Sequence, residues 1–432
     1  MKNKRFQFLM LILYACIVFL IHFFLNSTHS NADIFGFESS LHEDRDKSQW
    51  DFPALHITSE ANPFLMERLT WYDGIISFPC ESQHLAAQLR GRGTSTWSGA
   101  PEKRPLRIRF HEPQFVFGFE SPHRDWILLA NALDPSLLRN YFAFILADLM
   151  GNTCFVTSSQ FVHLYINGDY VGVYQLTDER DIDIGRLALQ MHPNPTVSEY
   201  LLEMNARTGD IEVNERKYRI RFPSGTNQTQ NHTEYVSQYL HSVSEAILSG
   251  DWSAVKKLID IPSLVDYYII HELTKDVDVG FASKFMQIKG QDNERRLYLG
   301  PVWDFDLSLG LFLSYHHIAG FDNSPEGLWA AVMNYWFKHL MHIPEFQMEV
   351  MVRWSEIVEH EIPLAIEKIL REATTYQNDF ERNFVYHSIL VHPGLHLGAG
   401  EDFLTFMEHV TFIIDFVIDR TIWLDEYFTS LQ

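Results

Sequence analysis

Apolar positions along the chain fall into three regimes. Residues 6–25 form an almost unbroken apolar run behind a basic start, Met1-Lys2-Asn3-Lys4-Arg5. About twenty such residues suffice to cross a bilayer and exceed the roughly 7–15 of a secretory core. The pattern therefore predicts a single transmembrane helix over residues 6–25. The leading positive charges predict a cytoplasmic N-terminus and an extracytoplasmic remainder. Cleavage within residues 26–32, giving a secreted protein, is the alternative. From about 55 to 205 the rhythm shortens to strand-like alternation. Residues 160–166 and 170–176 alternate around Asn167-Gly168-Asp169, a hairpin signal. Residues 106–110 form another such run. Between them, Leu137, Leu138, Tyr141, Ile145 and Leu149 recur at helical spacing, and Gly151 closes that helix.

Helical periodicity dominates afterwards, over about 234–249, 263–275, 327–341, 345–370 and 401–430. Residues 222–233 read as a polar loop, and residues 298–303 as a strand entering Asp304-Phe305-Asp306. The outline is an α+β fold in two lobes, β-rich first and helical second. The divisions are 1–26 for the anchor or signal, 27–50 for a linker, 51–325 for the main domain and 326–432 for a helical part completing the second lobe.

Composition excludes some classes. Of 432 residues, 46% are hydrophobic and 21% charged, as in a folded globular chain. The net charge of −22 argues against nucleic acid as a partner, because counterion release needs a basic surface. Cys16 lies in the apolar run, leaving Cys80 and Cys154 as either one disulfide or two thiols.

Three stretches carry residues that packing does not require. Arg90-Gly91-Arg92-Gly93-Thr94-Ser95-Thr96-Trp97, followed by Lys103, Arg107 and Arg109, sets basic side chains beside glycines, a pattern suited to phosphate. Asp276 and Asp278 follow a helix C-terminus, where the dipole favours cations. Asp304 and Asp306 flank a phenylalanine in an apolar stretch, and carboxylates there need a cation or a donor. Together they suggest a phosphate and metal site for phosphoryl transfer. The usual kinase signatures, such as Asp-Phe-Gly and His-Arg-Asp, are absent.

The chain resembles the spore-coat protein H (CotH) kinase family in five ordered blocks: residues 90–110, Trp126 to Asn140, Tyr165 to Leu176, Glu272 to Asp278 and Gly300 to Gly310. The resemblance implies an atypical kinase fold and an ATP- and Mg²⁺-dependent enzyme, with Mn²⁺ as a substitute. Such an enzyme phosphorylates secreted or surface proteins on serine. It implies Asp278 as the catalytic acid, with Asp276 nearby, and Asp304 with Asp306 on the metal. Arg92 and one of Lys103, Arg107 and Arg109 would meet the phosphates, with Asp178 pairing the basic residue. Thr94, Asp276, Ser283 and Arg109 depart from the family pattern, and Ser283 stands where an amide metal ligand is usual. The alternative is a catalytically weak or inactive member that binds a partner protein.

Overall fold

Alternation along the first half builds a sheet that closes on itself. In the computed structural model, which describes residues 50–60, 66–78, 83–100, 102–117, 119–180, 182, 185–313, 324–387, 395–396 and 405–431, seven strands form a closed barrel. They are β1 (Ala54–Ser59), β2 (Tyr72–Phe78), β3 (Gln83–Gly91), β4 (Leu106–Gln114), β5 (His123–Leu129), β6 (Ser159–Ile166) and β7 (Asp169–Asp178). Their order is β1-β2-β3-β4-β5-β7-β6, and a parallel β1–β6 pairing closes the ring. Alternate residues fill the interior, among them Leu55 and Ile57 of β1, Leu106, Ile108 and Phe110 of β4, and Trp126 and Leu128 of β5. The same period of two turns Arg107 and Arg109 to the outside. Asn167 and Gly168 take the left-handed backbone (φ 54° and 91°) required by the β6–β7 turn.

A second sheet of five strands follows the barrel: β8 (Tyr200–Met204), β9 (Ile211–Val213), β10 (Arg216–Phe222), β11 (Lys284–Lys289) and β12 (Arg296–Leu299), in the order β12-β11-β8-β10-β9. The helices are α1 (Ser95–Gly99), α2 (Arg139–Met150), α3 (Gln230–Ser249), α4 (Trp252–Leu258), α5 (Ile261–Thr274), α6 (Ala330–Met333), α7 (Tyr335–Leu340), α8 (Pro344–Ile357), α9 (Glu361–Thr375), α10 (Gln377–Tyr386) and α11 (Phe406–Ser430). The helix expected from Leu137, Leu138 and the apolar residues after them begins at Arg139, past both leucines. Asp134 and Ser136 shape the turn before it, with Ser136 N–H and Oγ both donating to Asp134 Oδ1.

Two expectations are corrected. The kinase-like arrangement of two lobes is replaced by a closed barrel with a second sheet and helices. Residues 51–432 gather as one compact unit, because α2, inserted between barrel strands, packs on α5 and α9 of the helical half. Closure removes the sheet edges that an open β-lobe would leave. The membrane anchor is corrected as well. Residues 6–25 lie outside the described residues, and among the described residues no helix is long and apolar enough to cross a membrane. The single-pass, extracytoplasmic placement is corrected on the same finding. Cys80 also lies outside the described residues; Cys154 is a free thiol that burial pushes up to about 12.

Candidate active site

Helix α5 ends where Lys275 adopts the left-handed conformation (φ 48°) and turns the chain into Asp276. The Asp278 N–H donates to Asp276 Oδ1 at 3.0 Å, closing a tight turn. Asp276 Oδ2 lies 2.7 Å from Lys284 Nζ and 2.9 Å from His271 Nδ1. Burial alone would push the Asp276 carboxyl up, but the Lys284 ammonium and the His271 contact hold it below its ordinary value. The acid that is misplaced against the helix dipole is thus matched by a lysine from another element. His271 packs against the rings of Tyr267 and Phe305, and burial lowers it to about 4, so it is neutral near pH 7. Asp278 is half-buried; burial first, then the Asp304 charge, raise its carboxyl.

The second loop runs from β12 through Trp303 to Asp306. Asp304 takes φ 71°, a conformation uncommon outside glycine and tolerated best by Asn and Asp. That turn is held because the Phe305 N–H donates to Asn140 Oδ1 at 2.8 Å, while Asn140 Nδ2 donates to Asn131. Asp306 is raised well above its ordinary value by burial, then by Asp304 and Asp278. The loops are laced together: Leu309 N–H donates to Thr274 O, Val277 N–H to Leu307 O, and Lys284 Nζ to the Trp303 carbonyl. Arg139, fully buried on α2, pairs with Asp134 at 2.5 Å and donates to the Ser308 carbonyl.

Basic side chains approach from the barrel. The guanidinium of Arg180 lies 3.7 Å from the Trp303 ring centroid, and that of Arg92 5.4 Å from it. Arg92 borders the small cleft formed with Asn131, Asn140, Trp303, Asp304 and Asp306. Arg107 pairs with Glu179 at 3.1 Å and Asp125 at 3.0 Å. Burial would raise Glu179, but Arg107, then Arg180 and Arg92, hold it down near 2. Arg107, Glu179 and Arg180 form one wall of a cleft of about 740 Å³, and Arg219 and Arg221 of β10 form another. The Arg180 side chain is 8% exposed, and its Nε and Nη1 have no acceptor among the described residues.

The predicted site residues therefore divide. Asp276, Asp278, Asp304 and Asp306 come together with Arg92, and Arg107 lies on the adjoining cleft. Ser283 precedes Lys284 at the start of β11, in left-handed backbone (φ 54°). Arg109 stays outside, 4.6 Å from the Trp71 centroid and paired with Asp125. Lys103 is fully buried elsewhere, over Tyr174, with Asp134 the charge that opposes its deprotonation. Asp178 pairs with Arg186 at 3.0 Å; its neighbour Glu179 is the partner of Arg107. Gly91 serves packing, since a Cβ there would run into the Trp97 ring.

Three participants escaped sequence reasoning: Arg180, Lys284 and Asn140. A lysine opening the apolar strand Lys284-Phe285-Met286 was a readable signal, because a buried cation needs a buried acid. Arg180 carried none, since only the fold stacks it on Trp303.

Among the described residues no group of three or more His, Cys, Asp or Glu side chains is arranged to hold a metal ion. Mg²⁺ takes one or two carboxylates beside phosphate oxygens, and Asp304 and Asp306 are the carboxylates of this loop that could serve. Their oxygen-only donors and mutual repulsion suit a hard divalent cation.

No curated protein matches the chain at a significant level. A family model described as CotH kinase protein matches residues 89–424. That stretch holds every acid, arginine and lysine of the site just described and well over half of the sequence, and the chain accordingly belongs to the CotH kinase family.

Proposed function

We propose that the protein is an ATP-dependent kinase, assisted by Mg²⁺ or Mn²⁺, that phosphorylates serine in a protein substrate. The observation that carries this reading is Arg180. Its unmatched, buried N–H groups border a cleft of nucleotide size, beside a cluster of carboxylates. Its Nη2 lies 3.8 Å from Glu179, while Nε and Nη1 lack acceptors among the described residues; such donors call for a further anion, and polyphosphate supplies one.

In this reading Arg180 and Arg92, ordered by Trp303, hold the phosphates, with Arg107 further along the wall. Asp304 and Asp306 would hold the divalent ion, which when bound neutralises charge on the transferring phosphoryl group. Asp278 accepts a hydrogen bond from the serine hydroxyl and takes its proton as the oxygen attacks the γ-phosphorus; the bond from that phosphorus to the β,γ-bridging oxygen breaks, and ADP leaves with that oxygen. Burial raises the Asp278 carboxyl above the ordinary range, which suits a proton acceptor working near neutral pH. Asp276 keeps that loop in place through the Asp278 N–H.

The test is phosphoryl transfer from radiolabelled ATP by the purified chain, to itself and to a generic acidic protein. Asp278→Ala and Asp304→Ala should each lower transfer by about 10²-fold or more. Absence of transfer, together with absence of any metal-dependent stabilisation by nucleotide, would sink the reading.

A further inference from the structure

The carboxylate cluster already contains a cation of its own. Lys284 opens β11 with 1% of its side chain exposed, and its Nζ lies 2.7 Å from Asp276 Oδ2 and 3.2 Å from the Trp303 carbonyl. It also lies 5.6 Å from the Phe305 ring centroid. The ammonium thus touches both loops that carry acids, and its charge acts on Asp278 as well as on Asp276. Asp276 is fully engaged: one oxygen accepts the Asp278 N–H, and the other faces Lys284 and His271.

Protein kinases commonly use two divalent ions held by carboxylate and amide oxygens of such loops. Here Asp276 Oδ2 and the Trp303 carbonyl oxygen face an ammonium, and Asp276 Oδ1 holds the Asp278 N–H.

We infer that Lys284 is a resident cation standing in for a second divalent ion, so that the site takes one divalent cation per chain. It is a positioning residue: it pins the Asp276–Asp278 turn to the Trp303–Asp306 loop and keeps Asp276 from acting as a ligand. The inference rests on the kinase reading above and concerns the metal site of that reading.

The experiment is an electron paramagnetic resonance titration of the full-length chain with Mn²⁺ and a non-hydrolysable ATP analogue. A single Mn²⁺ per chain, lost in Asp304→Ala, is the expected result. Lys284→Ala, which frees Asp276, should raise the count to two. Two Mn²⁺ on the unaltered chain would overturn the inference and leave the kinase reading standing. No Mn²⁺ on the unaltered chain would overturn both. A folded Lys284→Ala protein that still binds one would remove Lys284 from the role. Because the first count is made on the unaltered chain, the inference is testable even where the variant fails to fold.

Discussion

At the scale of single residues, burial separates charges that look alike in sequence. Lys103, Arg107 and Arg109 lie within seven positions, yet only Arg107 reaches the cleft. Lys103 is enclosed, and burial, opposed only by Asp134, lowers its pKa to about 7. The unfolded chain keeps this proton up to the ordinary lysine range, near 10.4. Between about pH 7 and that range the unfolded state binds more protons, so stability rises with pH; below pH 7 the full penalty of burying the ammonium remains. Replacing Lys103 with Met should therefore stabilise the protein most at or below neutral pH, and the gain should shrink toward about pH 10. Urea denaturation at about pH 6, 8 and 10 reads this directly. A gain that is constant across that range would contradict the assignment.

At the scale of elements, α2 supplies the frame for the acid loop. Asn140 receives the Phe305 N–H and gives its own amide hydrogen to Asn131, which bonds in turn to the Leu137 carbonyl and Gln175. This chain of buried amides joins barrel, helix and loop, and each member has its partners. Asn140→Ala should cost about 1–3 kcal/mol by leaving buried donors unmatched. It should also reduce phosphoryl transfer, because Asp304 depends on that turn. Thermal denaturation and the transfer assay measure the two effects separately. An Asn140→Ala protein with unchanged melting and unchanged transfer would show that the turn holds without it.

Across the whole molecule, the last helix is tied to the site by a buried ion pair. Arg420 of α11 is fully buried; it lies 2.6 Å from Glu272 Oε1 and donates to the Glu272, Pro325 and Gly327 carbonyls. Glu272 also accepts the Ala331 N–H, so one carboxylate joins α5, α6 and α11. Breaking a buried pair from one side leaves an uncompensated charge and costs about 3–5 kcal/mol. Arg420→Met should lower stability by that order in chemical denaturation, although residue 420 lies far along the chain from every acid of the site. A loss within the range of a surface change would show the pair to be dispensable.

Alternation and helical spacing determined much by themselves. The β6–β7 hairpin, the strand at 106–110, the helix ending at Gly151 and helices α3, α5 and α11 follow from local periodicity and turn chemistry, which act over a few residues. The runs 327–341 and 345–370 are each broken into two helices, and α4 and α10 went unread. The acids Asp276, Asp278, Asp304 and Asp306 were legible for a similar reason: charge in an apolar or dipole-opposed setting is costly and therefore conspicuous. Tertiary structure alone decided the rest. Closure of the barrel depends on β1 meeting β6 across about a hundred residues, and alternation does not state a strand's partner. The burial of Lys103, the stacking of Arg180 on Trp303 and the capture of Asp276 by Lys284 are likewise contacts between distant segments. They are set by which faces the packed elements present to one another, and no short-range pattern encodes that.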